Sequence, residues 1–256
     1  MDGSADHEAF YARLVMRHAG LITAAEQQSL RDTVIAVAGC GAAGGATVEA
    51  LVRLGAEHLR LAEHSTVELA DLNRHRAGLA DVGENKGSVL ARRVHTINPY
   101  VRVDVVAARV DDRTARTLVR DAGVVIDSIG ACLPRPGPAW AGLHDAAARA
   151  RVPVVSGYTN AGRQTVVTCD YRHRHDPLPP AGPAPAARTA GPDERPASAV
   201  YTADLFGAIA ARTVVDLLAG RRVRHRVVVD LHHLSRPWPF RLGPAAARRG
   251  RDRNAP

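Results

Sequence analysis

Thr33 to Ala38 reads Thr-Val-Ile-Ala-Val-Ala, a short and almost wholly apolar run that ends at a glycine. A strand covered on both faces has this pattern, because neither side of its pleat meets water. Gly39-Cys40-Gly41-Ala42-Ala43-Gly44 follows, then a helical stretch to Leu54 stopped by Gly55. His58 to Ala62 alternates into a second strand. Strand, glycine turn, helix and strand thus follow one another within about thirty residues.

The alternation continues downstream. Helices are expected over Asn85 to Ile97, Thr114 to Asp121 and Ala139 to Ala150. Strands are expected over Val101 to Val106, Val124 to Asp127 and Val152 to Ser156. Upstream, Glu8 to Leu30 has helical periodicity, and Thr23 with Glu26 forms a capping box that starts a second helix. Between Arg172 and Val200 the pattern breaks: seven of the sixteen prolines lie there with no aromatic residue, so a long loop or flap is expected. Ala203 to Leu218 reads as an amphipathic helix and Arg226 to Asp230 as a last strand. The order implies an α/β protein, Rossmann-like, with a doubly wound and mainly parallel sheet. An N-terminal helical segment (1–31) would precede the nucleotide-binding core (32–170). The proline-rich loop (171–200) and a C-terminal helix, strand and basic tail (201–256) would follow.

Composition changes this picture little. Aromatic residues are 4% of the chain, so Ala, Val and Leu must fill the core. No run reaches the ~18 apolar residues of a membrane span. The polar, acidic start from Met1 to His7 is unlike a secretory signal, and a cytoplasmic protein is expected. The net charge of +8 owes much to Arg248-Arg249-Gly250-Arg251-Asp252-Arg253. Without interleaved aromatics that tail reads as a solvated terminus rather than a nucleic-acid contact. Cys40, Cys132 and Cys169 stand far apart, which excludes a four-cysteine zinc site.

The glycine loop carries the first chemistry. Gly39 permits the tight turn, Gly41 lets the backbone approach a phosphate, and Gly44 lets the helix pack on the strand. The free N–H groups and dipole of the helix then favour an anion. Glu63 ends the second strand, twenty-four positions after Gly39, where an acid can accept bonds from ribose hydroxyls. This unit by itself fits NAD, FAD or ATP.

Further on the chain reads Thr66-Val67-Glu68-Leu69-Ala70-Asp71-Leu72-Asn73-Arg74-His75, then Val82-Gly83-Glu84-Asn85-Lys86, then Ile97-Asn98-Pro99. Tyr11-Ala12-Arg13 precedes the core and Val152-Pro153-Val154-Val155-Ser156-Gly157 lies within it. In this order the motifs resemble those of the ubiquitin-activating-enzyme-like superfamily, of the ThiF/MoeB/HesA type. The resemblance covers most of residues 10 to 230. It implies ATP-dependent activation of a carboxylate through an acyl-adenylate. The substrate would be the C-terminus of a carrier protein or peptide, or a small acid. By the family's motifs Arg74 and Lys86 are the cations at the phosphates, with Asn73 beside them. Arg13, or else Arg17, matches an arginine inserted into a dimer partner's site, so a homodimer is implied. Asp127 and Arg135 match the family's strand-four acid and downstream arginine.

The departures are specific. Gly130 stands where the family carries a second aspartate, normally a Mg²⁺ ligand. Asp71 replaces an asparagine, His75 a glutamine, and Ser65 an acid. Asp71 would therefore hold Mg²⁺, together with Asp127, or pair with Arg74. No cysteine is placed as a nucleophile: Cys169 reads as a buried small hydrophobe. His173 with His175, and His232 with His233, are weak metal signals without further placed ligands. Two other readings stay open: a catalytically impaired homologue that binds a nucleotide or a partner, and an NAD(P)-dependent oxidoreductase.

Overall fold

The computed structural model describes residues 3–129, 137–160, 163–173 and 199–231. Gly130, Cys132, Arg135, His175, the His232-His233 pair, most of the proline-rich stretch and the basic tail lie outside the described residues.

Helix α1 (Gly3–Val15) is followed by a 3-10 turn at Met16–His18 and by α2 (Ala24–Asp32). The second helix expected at the Thr23 capping box is α2, and the chain breaks between it and α1. Gly20 at φ +88° turns the chain, and Thr23 caps α2 with the reciprocal Glu26 bond. The core follows as β1 (Val34–Ala38), α3 (Ala42–Arg53), β2 (His58–Ala62), α4 (Lys86–His95), β3 (Arg102–Val106), α5 (Asp112–Val119), β4 (Ala122–Asp127), α6 (Pro138–Ala150) and β5 (Val154–Asn160). Then come β6 (Arg163–Cys169), α7 (Val200–Leu218) and β7 (Arg226–Asp230).

The seven strands form one sheet in the order β3-β2-β1-β4-β5-β6-β7. The first five in that order are parallel, and β6 pairs antiparallel to both β5 and β7. The doubly wound, mainly parallel expectation holds. β6 is an addition: only its second half, Val166-Val167-Thr168-Cys169, is apolar, and Arg163, Gln164 and Thr165 before it carry no strand signal. Pairing with β5 decides the element, since an antiparallel neighbour satisfies its backbone whatever the polarity of its outer face.

Strand side chains alternate between two layers. Ile35, Val37, Val124, Ile126 and Val155 point into a core with Leu30, Val48, Leu51, Leu90, Phe206 and Val214 from α2, α3, α4 and α7. Ala36, Ala38, Val125 and Val154 face Leu118, Leu143 and Ala147 of α5 and α6. α1 and α2 close the end of the sheet where β2 begins. The Tyr11 hydroxyl donates to the Gly55 carbonyl (2.9 Å), and the Gln27 amide donates to the Leu54 carbonyl (2.6 Å). Among the described residues no helix is long and apolar enough to cross a membrane.

The winding reverses between β1 and β4. In such sheets the crevice outside the carboxyl ends of the two strands at the reversal is where ligands bind. The glycine loop leaves β1 at that point, and Asp127 ends β4 beside it: Ala38 and Asp127 are paired in register.

Candidate active site

The glycine loop is held from below and from the side. Gly39 has φ +88°, a conformation that side chains rarely adopt. The Ser128 hydroxyl lies against the Ala38 and Gly39 carbonyls (3.0 and 2.7 Å). A Cβ on Gly44 would lie 1.9 Å from the Gly39 oxygen, so α3 can start this close to β1 only with glycine there. A Cβ on Gly41 would meet nothing nearer than His75 Cε1 at 3.7 Å. Gly41 caps α3, which leaves the first N–H groups of the helix available to an anion.

Glu63 is where the strand pattern placed it, but its carboxylate is engaged. Its two oxygens accept from the Cys40 and Ser65 N–H groups, each at 2.8 Å, and the residue is 7% exposed. Here it fixes the turn of the glycine loop. Cys40 is buried, and burial pushes its thiol well above the ordinary range, so it is no nucleophile in this state.

The segment after β2 carries the cations. Leu69–Asp71 forms a single 3-10 turn, and α4 begins at Lys86 under an Asn85 cap. The Asn85 side chain accepts from the N–H groups of Gly87 and Ser88 and donates to the Glu63 carbonyl (3.0 Å), which ties α4 to the end of β2. Lys86 and Arg74 converge on one carboxylate, Asp71. Lys86 Nζ is 2.9 Å from Oδ2, and Arg74 Nη2 is 3.2 Å from Oδ1. His75 Nε2 lies 3.4 Å from Oδ1, and the Glu68 N–H donates to Oδ2 (3.0 Å). Asp71 is 1% exposed. Burial alone would raise its pKa, but Lys86 and the Glu68 N–H hold it below the usual carboxylate range. Arg74 also donates to Asn73 Oδ1 (2.8 Å), which places Asn73 beside it. Burial pulls His75 down to about 4, so its ring is neutral at pH 7, and its Nδ1 has no partner. Cys40 of the glycine loop, His75 and Lys86 line one small cavity.

Asp127 is 1% exposed and reaches a different set of groups. Oδ1 accepts from the Ile129 N–H (3.1 Å), and Oδ2 accepts from the Ser156 hydroxyl (2.9 Å) with His144 Nε2 at 3.4 Å. His144 Nδ1 lies 2.6 Å from the Tyr171 hydroxyl, and Trp140 stacks on the ring with centroids 4.1 Å apart. Burial opposes charge on His144, but Asp127 and Cys169 outweigh it and lift its pKa to about 9. Sequence reading missed His144. Its one signal was a position four residues after Trp140, on the inward face of an alanine-rich helix.

The structure thus brings together Gly39, Gly41, Gly44, Glu63, Asp71, Asn73, Arg74 and Lys86, with Asp127 at the neighbouring strand end. It does not bring Arg13 to them. Arg13 is exposed on α1, which docks at the opposite end of the sheet, where β2 begins. Arg17 is exposed in the following turn. Among the described residues no group of His, Cys, Asp and Glu is arranged to hold a metal. Asp71 and Asp127, which the resemblance offered to Mg²⁺, have each oxygen turned to a protein partner.

The comparisons with known proteins show the family and the fold. The model of the ThiF family matches residues 11–236. A sulfur carrier protein adenylyltransferase of Thermus thermophilus is 30% identical over 103 residues, covering 40% of this chain and 38% of that protein. The molybdopterin-synthase adenylyltransferase of Salmonella typhimurium is 28% identical over 147 residues, 57% of each. An uncharacterised Mycobacterium tuberculosis protein, MT1398, is 36% identical over 119 residues, 46% of this chain and 16% of that protein. The chain therefore spans less than two thirds of these relatives. Among solved structures, that of PaaA aligns with TM-score 0.69 at 18% identity, covering 90% of this chain and 80% of that one. The Escherichia coli tRNA N6-threonylcarbamoyladenosine dehydratase TcdA, in complex with ATP, aligns with TM-score 0.62 at 21% identity, covering 86% and 96%. With its family model matched over residues 11–236 and the sheet wound as described, the chain belongs to the ThiF family.

Proposed function

We propose that this protein uses ATP to adenylate a carboxylate, that of a carrier-protein or peptide C-terminus or of a small acid. One observation carries the reading: Lys86 and Arg74 are gathered on Asp71 beside a glycine loop at the point where the sheet reverses. The matched sulfur carrier protein adenylyltransferase and molybdopterin-synthase adenylyltransferase support it.

In this reading the first turn of α3 receives the phosphates. A carboxylate oxygen of the substrate attacks the α-phosphorus, the bond to the bridging oxygen of the β-phosphate breaks, and pyrophosphate leaves. Charge builds on that leaving group, and fixed cations aimed at it lower the barrier. Arg74 offers a bidentate fork and Lys86 a point charge. Arg13 has no place in its own subunit's site, and the family resemblance would have it supplied across a homodimer. The described residues do not fit a metal held by protein alone, and no step is assigned to one.

A second reading, a relative that binds nucleotide without adenylation, is favoured by the same engagement of Asp71 and Asp127. The nicotinamide reading loses its main support, because Glu63 is turned to backbone N–H groups rather than towards a ribose. Pyrophosphate exchange into ATP, driven by candidate carboxyl-terminal peptides, decides between the first two. Lys86→Ala and Arg74→Ala should each slow it by about 100-fold or more, as loss of an electrostatic transition-state contact does. Equal rates in both variants and the parent overturn the assignment.

A further inference from the structure

We propose that Asp71 is a built-in counter-anion: it occupies the Lys86–Arg74 cation pair in the free protein and so weakens the site's grip on highly charged polyphosphates. The inference rests on the reading that Lys86 and Arg74 face phosphate.

Three donors converge on this single carboxylate, Lys86 Nζ, Arg74 Nη2 and the Glu68 N–H, and His75 Nε2 lies 3.4 Å from Oδ1. Two of them carry full charge. His75 does not, since burial keeps its ring neutral at pH 7. Lys86, Arg74 and Asp71 thus carry two positive charges and one negative charge, the negative one buried behind the cations, with the Glu63 carboxylate as a second anion within electrostatic reach of His75. The side chains of Lys86 and Arg74 are 12% and 20% exposed, against 2% for Asp71. Asp71 is the acid partner of Lys86 among the described residues.

Two consequences follow from electrostatics. An incoming phosphate must compete with a carboxylate that is already in place and loses no translational freedom by staying. It also enters the field of that carboxylate, and the repulsion grows with the charge of the ligand. The cost is therefore larger for a triphosphate than for a monophosphate. Asparagine at this position keeps the shape and one acceptor for the Glu68 N–H, but leaves both cations without a counter-charge. Cations left half-buried and unpaired bind an external anion more strongly.

The test is calorimetric titration of the full chain with tripolyphosphate, ATP, AMP and adenosine at low salt. Asp71→Asn should bind tripolyphosphate and ATP about tenfold tighter than the parent, AMP by less, and adenosine unchanged, with a steeper salt dependence. Lys86→Ala in the Asp71→Asn background should erase the gain. Circular dichroism checks the fold. Asp71→Ser, which also offers the Glu68 N–H an acceptor, gives the same prediction if Asp71→Asn unfolds. No gain for tripolyphosphate in the folded variant, weaker binding, or an equal gain for adenosine overturns the inference. Tripolyphosphate separates this result from the proposed function. A gain in Asp71→Asn with no pyrophosphate exchange in the parent keeps the counter-anion and removes the adenylation. Exchange in the parent without a gain in the variant does the reverse.

Discussion

His144 Nε2 lies 3.4 Å from Asp127 Oδ2, and both side chains are 1% exposed. The pair closes the underside of the β4 end, with the Ser156 hydroxyl on the same oxygen. An imidazole with a pKa raised to about 9 is a cation at pH 7, so Asp127 has a charged partner inside the protein.

This pair makes stability depend on pH in a defined direction. A histidine with a raised folded pKa binds its proton more tightly in the folded state. Its contribution is complete below the unfolded value of about 6.5 and is lost as pH rises through about 9. The shift corresponds to about 3 kcal/mol at most. Urea unfolding at several pH values checks it. The stability gap between the parent and His144→Gln should be widest near pH 6 and shrink by about pH 9.5. A gap that does not change with pH would show that His144 is neutral.

The two glycines of the loop should respond differently. Gly44→Ala drives a methyl against the Gly39 carbonyl, where rigid backbone cannot give way. Overpacking of this kind costs about 1–3 kcal/mol, and the loop should lose its nucleotide. Gly41→Ala makes only ordinary contact with His75. It should melt close to the parent yet bind ATP more weakly, because its methyl enters the space over the helix N-terminus. Thermal melts with and without ATP separate the cases. A Gly44→Ala protein as stable as the parent would mean that the close approach is relieved by a shift of α3.

Arg13 tests the dimer. If it acts across a two-fold interface, an Arg13→Ala subunit paired with a Lys86→Ala subunit has one site with both defects and one intact site. Verified heterodimers should then recover about half the parent exchange rate, while each variant alone stays near background. No recovery places the arginine elsewhere.

Much of the site was legible because local rules fix it. The apolar run before Gly39 demands a strand covered on both sides. The glycine spacing demands a phosphate-type turn, and Asn85 before Lys86 demands a helix start. β6 and His144 were not legible, for related reasons. A strand of Arg163, Gln164 and Thr165 character is decided by its neighbours, and a histidine among alanines carries no sign of the carboxylate it will meet.

The sequence by itself determined most of the strands and helices, β6 apart, and the positions of the glycine loop and of the charged side chains after it, because each depends on residues close together in the chain. Only the tertiary structure decided which groups those charges serve. Glu63 turns to the Cys40 N–H, Asp71 to Lys86, and Asp127 to Ser156 and His144. The physical reason is that a carboxylate taken out of water must find donors, and donors fifteen to twenty-nine residues away along the chain are set by the winding of the sheet.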